Sequence, residues 1–246
     1  MTSGFAHELI FGLNTALEIV RAGKRKIYRL LISRGEQDKK VHELVTLVRA
    51  RGAAVEFSEP ATLEKLAKGG NHQGVILETE PVKTLDITEA LALETNLKKT
   101  VWAALDGITD PMNLGAIIRS AACFGVSAII IPERRSVGVT PTVQKAASGA
   151  LEKVNIVECV NLNQTILALK EKGFWVYGAD SEGASLEKTD FALPALIVIG
   201  SEGSGLHLKT REHCDEVVSI KQKGGVESLN ASAAAAVVFY EISKKI

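Results

Sequence analysis

From residue 100 to residue 246 the chain alternates short apolar segments with segments of helical periodicity. The apolar segments lack the polar alternation of half-exposed strands, so we expect strands buried on both faces. The predicted strands are residues 101–105, 127–131, 154–157, 175–179, 196–199 and 217–220, and the predicted helices are residues 113–124, 142–149, 164–172 and 230–244. This alternation predicts an α/β fold with a parallel sheet, which binds ligands at the carboxyl ends of its strands.

The first part of the chain predicts a smaller α/β unit. Its predicted helices are residues 9–22, 41–51 and 63–68, and its predicted strands are residues 28–33, 54–57 and 74–79. Residues 80–99 carry Pro81, mixed charge and the pattern of a short helix at 87–93. We therefore divide the chain into a domain at 1–79, a linker at 80–99 and a domain at 100–246.

The charges are balanced overall but clustered locally. The formal net charge is zero, which argues against binding of nucleic acid by the whole surface. No acidic residue interrupts the cluster formed by Arg21, Lys24, Arg25, Lys26 and Arg29. Two interpretations are compatible with this cluster, a solvated helix end and a contact with an RNA backbone.

The sequence predicts a cytoplasmic protein. The most apolar stretch, residues 231–240, is too short to span a bilayer. The N-terminus lacks the basic start and the cleavage site of a secretory signal. The cysteines, Cys123, Cys159 and Cys214, are odd in number and form no CxxC pair. We therefore expect a reducing compartment, with neither a disulfide framework nor a metal site.

Three loops of the second part carry polar residues at the carboxyl ends of predicted strands. In the first loop, Asn113 stands where the N-cap of the following helix belongs. Arg119 lies off the apolar stripe of that helix, among small residues, where a long guanidinium has room to reach a ligand. A capping asparagine and an ordinary surface arginine are the alternative interpretation.

The second loop, residues 200–205, reads Gly-Ser-Glu-Gly-Ser-Gly. Its glycines allow a ligand to approach the backbone closely. Neither GxGxxG nor GxxxxGK[ST] is present, which disfavours a nicotinamide dehydrogenase and a nucleoside triphosphate site. Glu202 repels phosphate and suits a ligand with positive charge and hydroxyl donors, such as S-adenosylmethionine. A tight turn without a ligand is the alternative.

The third loop, residues 224–232, precedes a helix that is rich in alanine. Ser228 or Asn230 is suited to cap that helix. The small side chains of the helix allow very close packing, either in a crowded core or at a subunit interface. Capping and packing without a ligand are the alternative interpretation of this loop.

Together, residues 113–119, 199–206 and 226–233 resemble, in order and spacing, the three signature motifs of the SPOUT class and, more narrowly, of the TrmH-type RNA 2′-O-ribose methyltransferases. The first part of the chain resembles the small RNA-binding domain, similar to ribosomal protein L30e, that precedes the catalytic domain in some members. Asn-His-Gln-Gly at residues 71–74 is typical of the end of that domain. The layout is most similar to that of members that methylate guanosine in bacterial 23S ribosomal RNA.

The resemblance implies a parallel sheet with a C-terminal trefoil knot and a homodimer with active sites near the subunit interface. It implies transfer of a methyl group from S-adenosylmethionine, without a metal, to the ribose 2′-hydroxyl of a guanosine in large-subunit ribosomal RNA. Transfer RNA is an alternative substrate, because enzymes that act on it share the three motifs. A catalytically inactive RNA-binding module is a further alternative, which the presence of Arg119, Ser228 and Asn230 disfavours.

The resemblance also implies roles for individual residues. Arg119 is expected to anchor an RNA phosphate and to favour ionisation of the ribose hydroxyl, since a guanidinium is too basic to be an ordinary proton acceptor. The residues expected to orient Arg119, the ribose and the donor are Asn113, Glu202, Ser228 and Asn230. The residues expected to hold the donor are Gly200, Gly203, Ile220, Ser228 and Leu229. The basic cluster of the first domain is expected to contact the RNA.

One departure from the family pattern concerns the expected donor site. Members often have proline and methionine after the strand isoleucine, whereas this chain has Lys221 and Gln222 there. We expect the exchange to change the stiffness of the loop and to make the rim of the site more basic, with the donor site retained.

Overall fold

The structure is a computed structural model that describes residues 7–35, 38–222, 224 and 228–246. These residues form two compact units. The first unit contains the described residues up to 83 together with residues 141–153, and the second contains residues 84–140 and the described residues from 154 onward. Among the described helices, none combines the length and the apolar character that crossing a membrane requires.

The elements of the described chain are numbered in chain order. The strands are β1 (Glu8–Phe11), β2 (Ile27–Ser33), β3 (Ala54–Ser58), β4 (Val75–Thr79), β5 (Val101–Asp106), β6 (Ala128–Pro132), β7 (Asn155–Cys159), β8 (Trp175–Ser185), β9 (Ala195–Gly200) and β10 (Glu216–Ser219). The α-helices are α1 (Leu13–Ala22), α2 (Lys39–Ala50), α3 (Pro60–Ala67), α4 (Ile87–Leu93), α5 (Pro111–Cys123), α6 (Pro141–Ala147), α7 (Leu162–Glu171), α8 (Leu208–His213) and α9 (Ala231–Ser243).

The first unit is built on a sheet whose described strands run in the order β1-β4-β2-β3. β2 and β3 are parallel, and β4 runs antiparallel to both of its neighbours. Helices α1 and α2 bury their apolar sides against one face of this sheet, and α3 covers the other face. The arrangement agrees with the small α/β unit that the sequence predicts.

The helix predicted for residues 9–22 begins later in the structure. Residues 8–11 form β1, which pairs antiparallel with β4. Gly12 then adopts a φ of 97°, a conformation that favours glycine, and α1 starts at Leu13. The pattern of apolar residues at the start of this segment is compatible with a strand and with a helix, and the pairing with β4 selects the strand.

Residues 141–153 belong to the first unit, whereas the sequence interpretation placed them in the second domain. The Glu152 side chain of this segment is only 3% exposed, and its carboxylate lies 2.5 Å from the Arg25 guanidinium. A Glu8 carboxylate oxygen lies 3.3 Å from the same guanidinium. The prediction that Arg25 is exposed in an RNA-binding cluster is therefore wrong, because a partner distant in sequence buries it.

The second unit is built on a sheet whose described strands run in the order β10-β8-β9-β5-β6-β7, with all neighbouring pairs parallel. This confirms the predicted α/β fold with a parallel sheet. Side chains of the central strands, such as Trp102, Ile130 and Val198, are fully buried. After β5 the chain continues with β6 and β7, which lie on one side of β5 in the sheet, whereas β9 lies on the other side. The carboxyl ends of β5 and β9 thus border a switch point of the kind at which α/β sheets bind ligands.

Residues 84–99, predicted as a linker, form part of the second unit. Leu85 makes a parallel bridge to Val157 of β7, and α4 contributes a buried alanine to the core. Glu94 accepts a hydrogen bond from the Trp102 indole nitrogen at 2.7 Å. The segment resembles a linker in sequence because charged residues separate its few buried contacts.

Candidate active site

Three loops meet at the carboxyl ends of the parallel strands of the second unit. The loop after β5 leads into α5, the loop after β9 leads towards α8, and the loop after β10 leads towards α9. β5 and β9 are neighbours, with Asp106 opposite Gly200 at the end of the ladder. Helix α9 packs against α5, so the third motif, at the start of α9, lies next to the first motif. Residues 225–227 of the third loop, including Val226 of the predicted motif, lie outside the described residues, as does residue 223 just before the loop.

Asn113, Glu202 and Asn230, one residue from each motif, form a hydrogen-bonded network. Asn113 Nδ2 donates to Glu202 Oε1 at 2.9 Å, and Asn230 Nδ2 donates to Asn113 Oδ1 at 2.9 Å. Asn230 Nδ2 also donates to Glu202 Oε1, and the Ala231 amide lies 3.4 Å from that oxygen. Several donors on one carboxylate hold it in a single orientation, so the network fixes the three loops relative to one another.

The helix caps explain why both asparagines are available to this network. Asp110 caps α5 by accepting a hydrogen bond from a backbone amide of the first turn at 2.9 Å, so the prediction that Asn113 is the N-cap is wrong. Asn113 instead lies inside the first turn, where its side chain reaches Glu202. Asn230 caps α9, one of the two predicted caps, and accepts from two backbone amides at 2.9 and 3.3 Å. The amide oxygen of Asn230 caps α9, and its amide nitrogen donates the hydrogen bonds to Asn113 and Glu202.

The loop after β9 contains glycine at positions where a side chain does not fit. A Cβ atom on Gly200 would lie 2.3 Å from the carbonyl carbon of Gly205. Ser201 and Gly205 exchange two backbone hydrogen bonds of 3.0 Å, and Gly205 has a φ of 62°. The loop therefore folds back on itself and presents its backbone to the space beside it.

A cleft of about 480 Å³ lies beside this loop, within the size range of small-molecule sites. It is bordered by the middle of β8, by the end of β9, by the loops after β9 and β10, and by the start of α9. The predicted donor-binding residues that line it are Gly200, Gly203, Ile220, Ser228 and Leu229, and Glu202 lines it as well. The structure thus brings all the residues predicted to hold a donor to one cleft.

Asp180 and Ser181, within β8 just after its pairing with β9 ends at Ala179, also line the cleft and were missed by the sequence analysis. Both residues directly follow the apolar segment 175–179, which the sequence predicts as a strand, and polar residues in that position are the signal that identifies them. Arg211 Nη1 lies 3.0 Å from Asp180 Oδ2. Burial raises the pKa of Asp180, but the Glu182 amide and the Arg211 guanidinium outweigh it and hold the pKa below its usual range. The group is therefore a carboxylate at neutral pH.

Asp106 and His207 form a second pair that the sequence analysis missed. Asp106 ends β5 and is only 7% exposed. One of its oxygens lies 2.8 Å from His207 Nδ1, and the other accepts a hydrogen bond from the His207 amide at 2.9 Å. The pair attaches His207, two positions after the glycine-rich loop, to the end of the neighbouring strand β5.

Arg119 lies on a different side of α5 from Asn113. Six positions separate the two residues, which corresponds to about 120° around a helix. Asn113 is buried, whereas Arg119 is exposed and is not a described lining residue of the cleft. No ion pair joins Arg119 to another residue that the structure describes. The buried stripe predicted for this helix, Leu114, Ile117, Ile118 and Ala121, is confirmed.

The arginines of the predicted basic cluster are engaged by carboxylates of the first unit. Arg21 pairs with Glu18 and Glu43, Arg25 with Glu8 and Glu152, and Arg29 with Glu56 and Glu78. Lys24 and Lys26 are exposed, and Lys26 Nζ lies 5.2 Å from the centroid of the Tyr28 ring. Within the described residues, the side-chain ammonium groups of these two lysines have no carboxylate partner.

Comparison with known proteins identifies relatives of both parts of the chain. The profile described as the SpoU rRNA Methylase family matches residues 100–240, and the profile described as RNA 2′-O ribose methyltransferase substrate binding matches residues 9–85. The chain is 37% identical over 241 residues to the 23S rRNA (guanosine-2′-O-)-methyltransferase RlmB of Coxiella burnetii, which covers 96% of this chain and 95% of that protein.

Of two further relatives, one has about the length of this chain and the other is longer. The RlmB protein of Yersinia pestis is 32% identical over 239 residues, covering 97% of each chain. An uncharacterized tRNA/rRNA methyltransferase of Synechocystis is 36% identical over 243 residues and is longer, so that this chain spans 63% of its length.

A solved structure shares the fold along nearly the whole chain. The SpoU methyltransferase AviRb from Streptomyces viridochromogenes, in complex with AdoMet, has a TM-score of 0.81 and 25% identity, covering 97% of this chain and 90% of that one. The SpoU profile covers more than half of the chain, and the RlmB relatives exceed 30% identity along nearly its whole length. The chain therefore belongs to the SpoU rRNA methylase family.

Proposed function

We propose that this protein transfers a methyl group from S-adenosylmethionine to the ribose 2′-hydroxyl of a guanosine in 23S ribosomal RNA. The observation that carries the proposal is the convergence of Asn113, Glu202 and Asn230 beside the glycine-rich cleft. We take guanosine as the nucleoside and the 2′-oxygen as the methylated atom from the RlmB relatives of Coxiella burnetii and Yersinia pestis. Their similarity extends along both units of the chain, which favours the same class of substrate.

The chemistry of the cleft fits S-adenosylmethionine as the methyl donor. When bound, this donor supplies an electrophilic methyl carbon on a positively charged sulfur. Asp180 and Glu202 bring two carboxylates to the cleft lining, which suits a ligand that carries a sulfonium and an ammonium group. The residues that would hold the donor are Gly200, Gly203, Ile220, Ser228 and Leu229. The similarity in fold to AdoMet-bound AviRb supports this assignment.

Arg119 is the residue that we assign to activation of the ribose hydroxyl. Its exposed guanidinium can pair with an RNA phosphate and stabilise the negative charge that develops on the 2′-oxygen. Asn113, Glu202 and Asn230 act differently, because their hydrogen bonds hold the loops of the donor cleft in one arrangement. We expect much of the acceleration to come from alignment of the 2′-oxygen with the donor methyl group.

We assign selection of the RNA to the first unit. The profile that matches residues 9–85 is described as substrate binding for RNA 2′-O ribose methyltransferases. Lys24 and Lys26 are our candidates for contacts with the RNA backbone, since Arg25 is buried and the other arginines of the cluster are paired. DNA is excluded as substrate because it lacks the 2′-hydroxyl group that accepts the methyl.

A homodimer formed through α9 is part of the proposal. Ala233, Val237 and Tyr240 are exposed on this helix at spacings of four and three residues, so they form an apolar stripe on one side. Arg119 lies outside the cleft lining of its own chain. A second copy seated on α9 would cover the stripe and bring its own exposed residues towards the site.

Two further features are proposed from family membership. The first is the C-terminal trefoil knot of the SPOUT class, with the loops after β9 and β10 bordering the donor cleft as they do here. The second is a cytoplasmic location, which agrees with the three cysteines being free thiols. Burial raises the pKa of the Cys214 thiol to about 12, so we expect this thiol to react slowly at neutral pH.

The decisive test uses methyl-tritiated S-adenosylmethionine and total RNA that lacks modifications. After incubation, large-subunit, small-subunit and transfer RNA are separated and counted. We expect label in large-subunit RNA, recovered as 2′-O-methylguanosine after digestion. Label in transfer RNA alone would overturn the proposed substrate, and absence of label from RNA and from pre-ribosomal particles would overturn the proposed activity.

We expect Glu202→Ala to lower the single-turnover rate of methyl transfer by about ten- to a hundred-fold, because charged hydrogen bonds contribute about 1.5–3 kcal/mol each. The variant removes the acceptor shared by Asn113 and Asn230. Glu202→Gln retains an oxygen acceptor and should lose less. Glu212→Ala, on exposed α8, is the matched control and should be within about two-fold of wild type. A Glu202→Ala rate equal to that of the control would refute the role of the network.

Val237→Glu is expected to weaken the proposed dimer by about ten-fold or more, since it places a charge in an apolar interface. Val237 is 40% exposed on α9. Sedimentation velocity over a range of concentrations measures the dissociation. Leu167→Glu is the matched control, because Leu167 is a similarly exposed apolar residue, at 44%, on α7. A Val237→Glu protein that dimerises like the control would exclude α9 as the interface.

A further inference from the structure

Gln222 is a residue of the donor cleft to which the proposed function gives no role. It lines the cleft two positions after Ile220, in the loop that follows β10. Members of the family often have methionine at this position. In this chain a polar amide therefore stands where a thioether is usual, at the wall of the site that would hold the donor.

Most other polar side chains of the cleft are already engaged. Asp180 is paired with Arg211 and Ser181, Ser201 Oγ and Ser204 Oγ lie 2.7 Å apart, and Glu202 accepts from Asn113 and Asn230. Gln222 and Ser228 are the polar cleft side chains for which the described part of the chain provides no hydrogen-bond partner. Among the described residues, these two side chains are therefore the candidates for further contacts with a ligand.

The two groups differ in what they can recognise. A serine hydroxyl rotates and pairs with almost any polar atom, so it distinguishes ligands poorly. A glutamine amide presents a donor and an acceptor side by side in one plane. Adenine presents the complementary arrangement, because its 6-amino group donates next to a ring nitrogen that accepts, and glutamine pairs with adenine through both contacts.

We propose that Gln222 recognises the adenine base of the methyl donor and is a specificity-determining residue of the donor site. The inference rests on the proposed function, since adenine is the base of S-adenosylmethionine. The amide oxygen of Gln222 accepts from the adenine 6-amino group, and the amide nitrogen donates to the neighbouring ring nitrogen. The glycine-rich backbone of the cleft holds the rest of the ligand.

The test compares two ligands by calorimetric titration of the full chain. The first is S-adenosylhomocysteine, and the second is its desamino analogue, in which hydrogen replaces the 6-amino group of the base. Wild type is expected to bind the first about ten-fold or more tightly than the second, the usual discrimination from a bidentate pair. In Gln222→Met the ratio of the two affinities should fall by about the same factor, because no amide oxygen remains.

A matched variant and the pattern of outcomes separate the possibilities. Gln164→Met changes an exposed glutamine of α7 that is not among the cleft residues, and it should keep the wild-type ratio. An unchanged ratio in Gln222→Met, with S-adenosylhomocysteine still bound, would overturn the inference and leave the proposed donor standing. Failure of wild type to bind S-adenosylhomocysteine would overturn the donor assignment and the inference with it.

Discussion

Replacement of Arg119 by alanine is expected to lower the rate of methyl transfer by about 10²- to 10³-fold or more, with no change in affinity for S-adenosylhomocysteine. The rate falls because Arg119 is the cation that we assign to stabilising the negative charge that develops on the ribose 2′-oxygen. The affinity is retained because Arg119 is exposed on α5 and does not line the cleft in the described structure. Single-turnover transfer to unmodified 23S RNA measures the rate, and calorimetric titration measures the affinity.

Two further variants show which property of Arg119 matters. Arg119→Lys keeps the charge but loses the planar pair of donors that suits a phosphate, so an intermediate rate is expected. Lys209→Ala removes an exposed cation from α8 and should change the rate by less than about two-fold. If Arg119→Ala retains wild-type turnover while the RNA is methylated at the same position, the assignment of Arg119 is wrong.

Arg25→Met is expected to lower the free energy of unfolding of the first unit by about 3–5 kcal/mol, the usual effect of removing one partner of a buried ion pair. The change leaves the Glu152 carboxylate, 3% exposed, and the Glu8 carboxylate, 16% exposed, without their cation. Because the chain has two units, the stability of the first is best followed by hydrogen exchange at the amides of β2 and β4.

Arg21→Met provides the matched control for Arg25→Met. Arg21 pairs with Glu18 and Glu43, but its side chain is 49% exposed, so the substitution should lower stability much less than Arg25→Met does. The double variant Arg25→Met with Glu152→Met removes both buried charges and is expected to regain most of the lost stability. Equal effects of Arg25→Met and Arg21→Met would show that the buried pair has no special role.

Local patterns predicted the second unit well because its strands are continuously apolar and its helices have regular apolar stripes. The sheet is parallel as expected, and the stripe of α5 is buried as expected. The pattern at residues 87–93 also matches α4. The carboxyl-end rule for parallel strands identified the loops, and the resemblance to the family supplied the residues predicted to hold the donor, which the structure brings to one cleft.

The same local patterns were inadequate wherever a distant partner decides the outcome. Residues 8–11 are a strand because β4 pairs with them, and Arg25 is buried because Glu152 lies beside it in the fold. Asn113 appeared to be a helix cap because the true cap, Asp110, lies only three positions earlier and has equal capping chemistry. In the first two cases a long-range contact selects between local alternatives that the sequence alone leaves open.

The sequence by itself determined the α/β class, the three loops and the residue types that suit a methyl donor and RNA, since these depend on periodicity, on strand ends and on side-chain chemistry. Only the tertiary structure decided that Asn113, Glu202 and Asn230 share one network, that Asp180 and Gln222 border the same cleft, and that Arg119 lies outside it. The physical reason is that these relations are distances between segments separated by tens of residues, and packing of the whole sheet with its helices sets them.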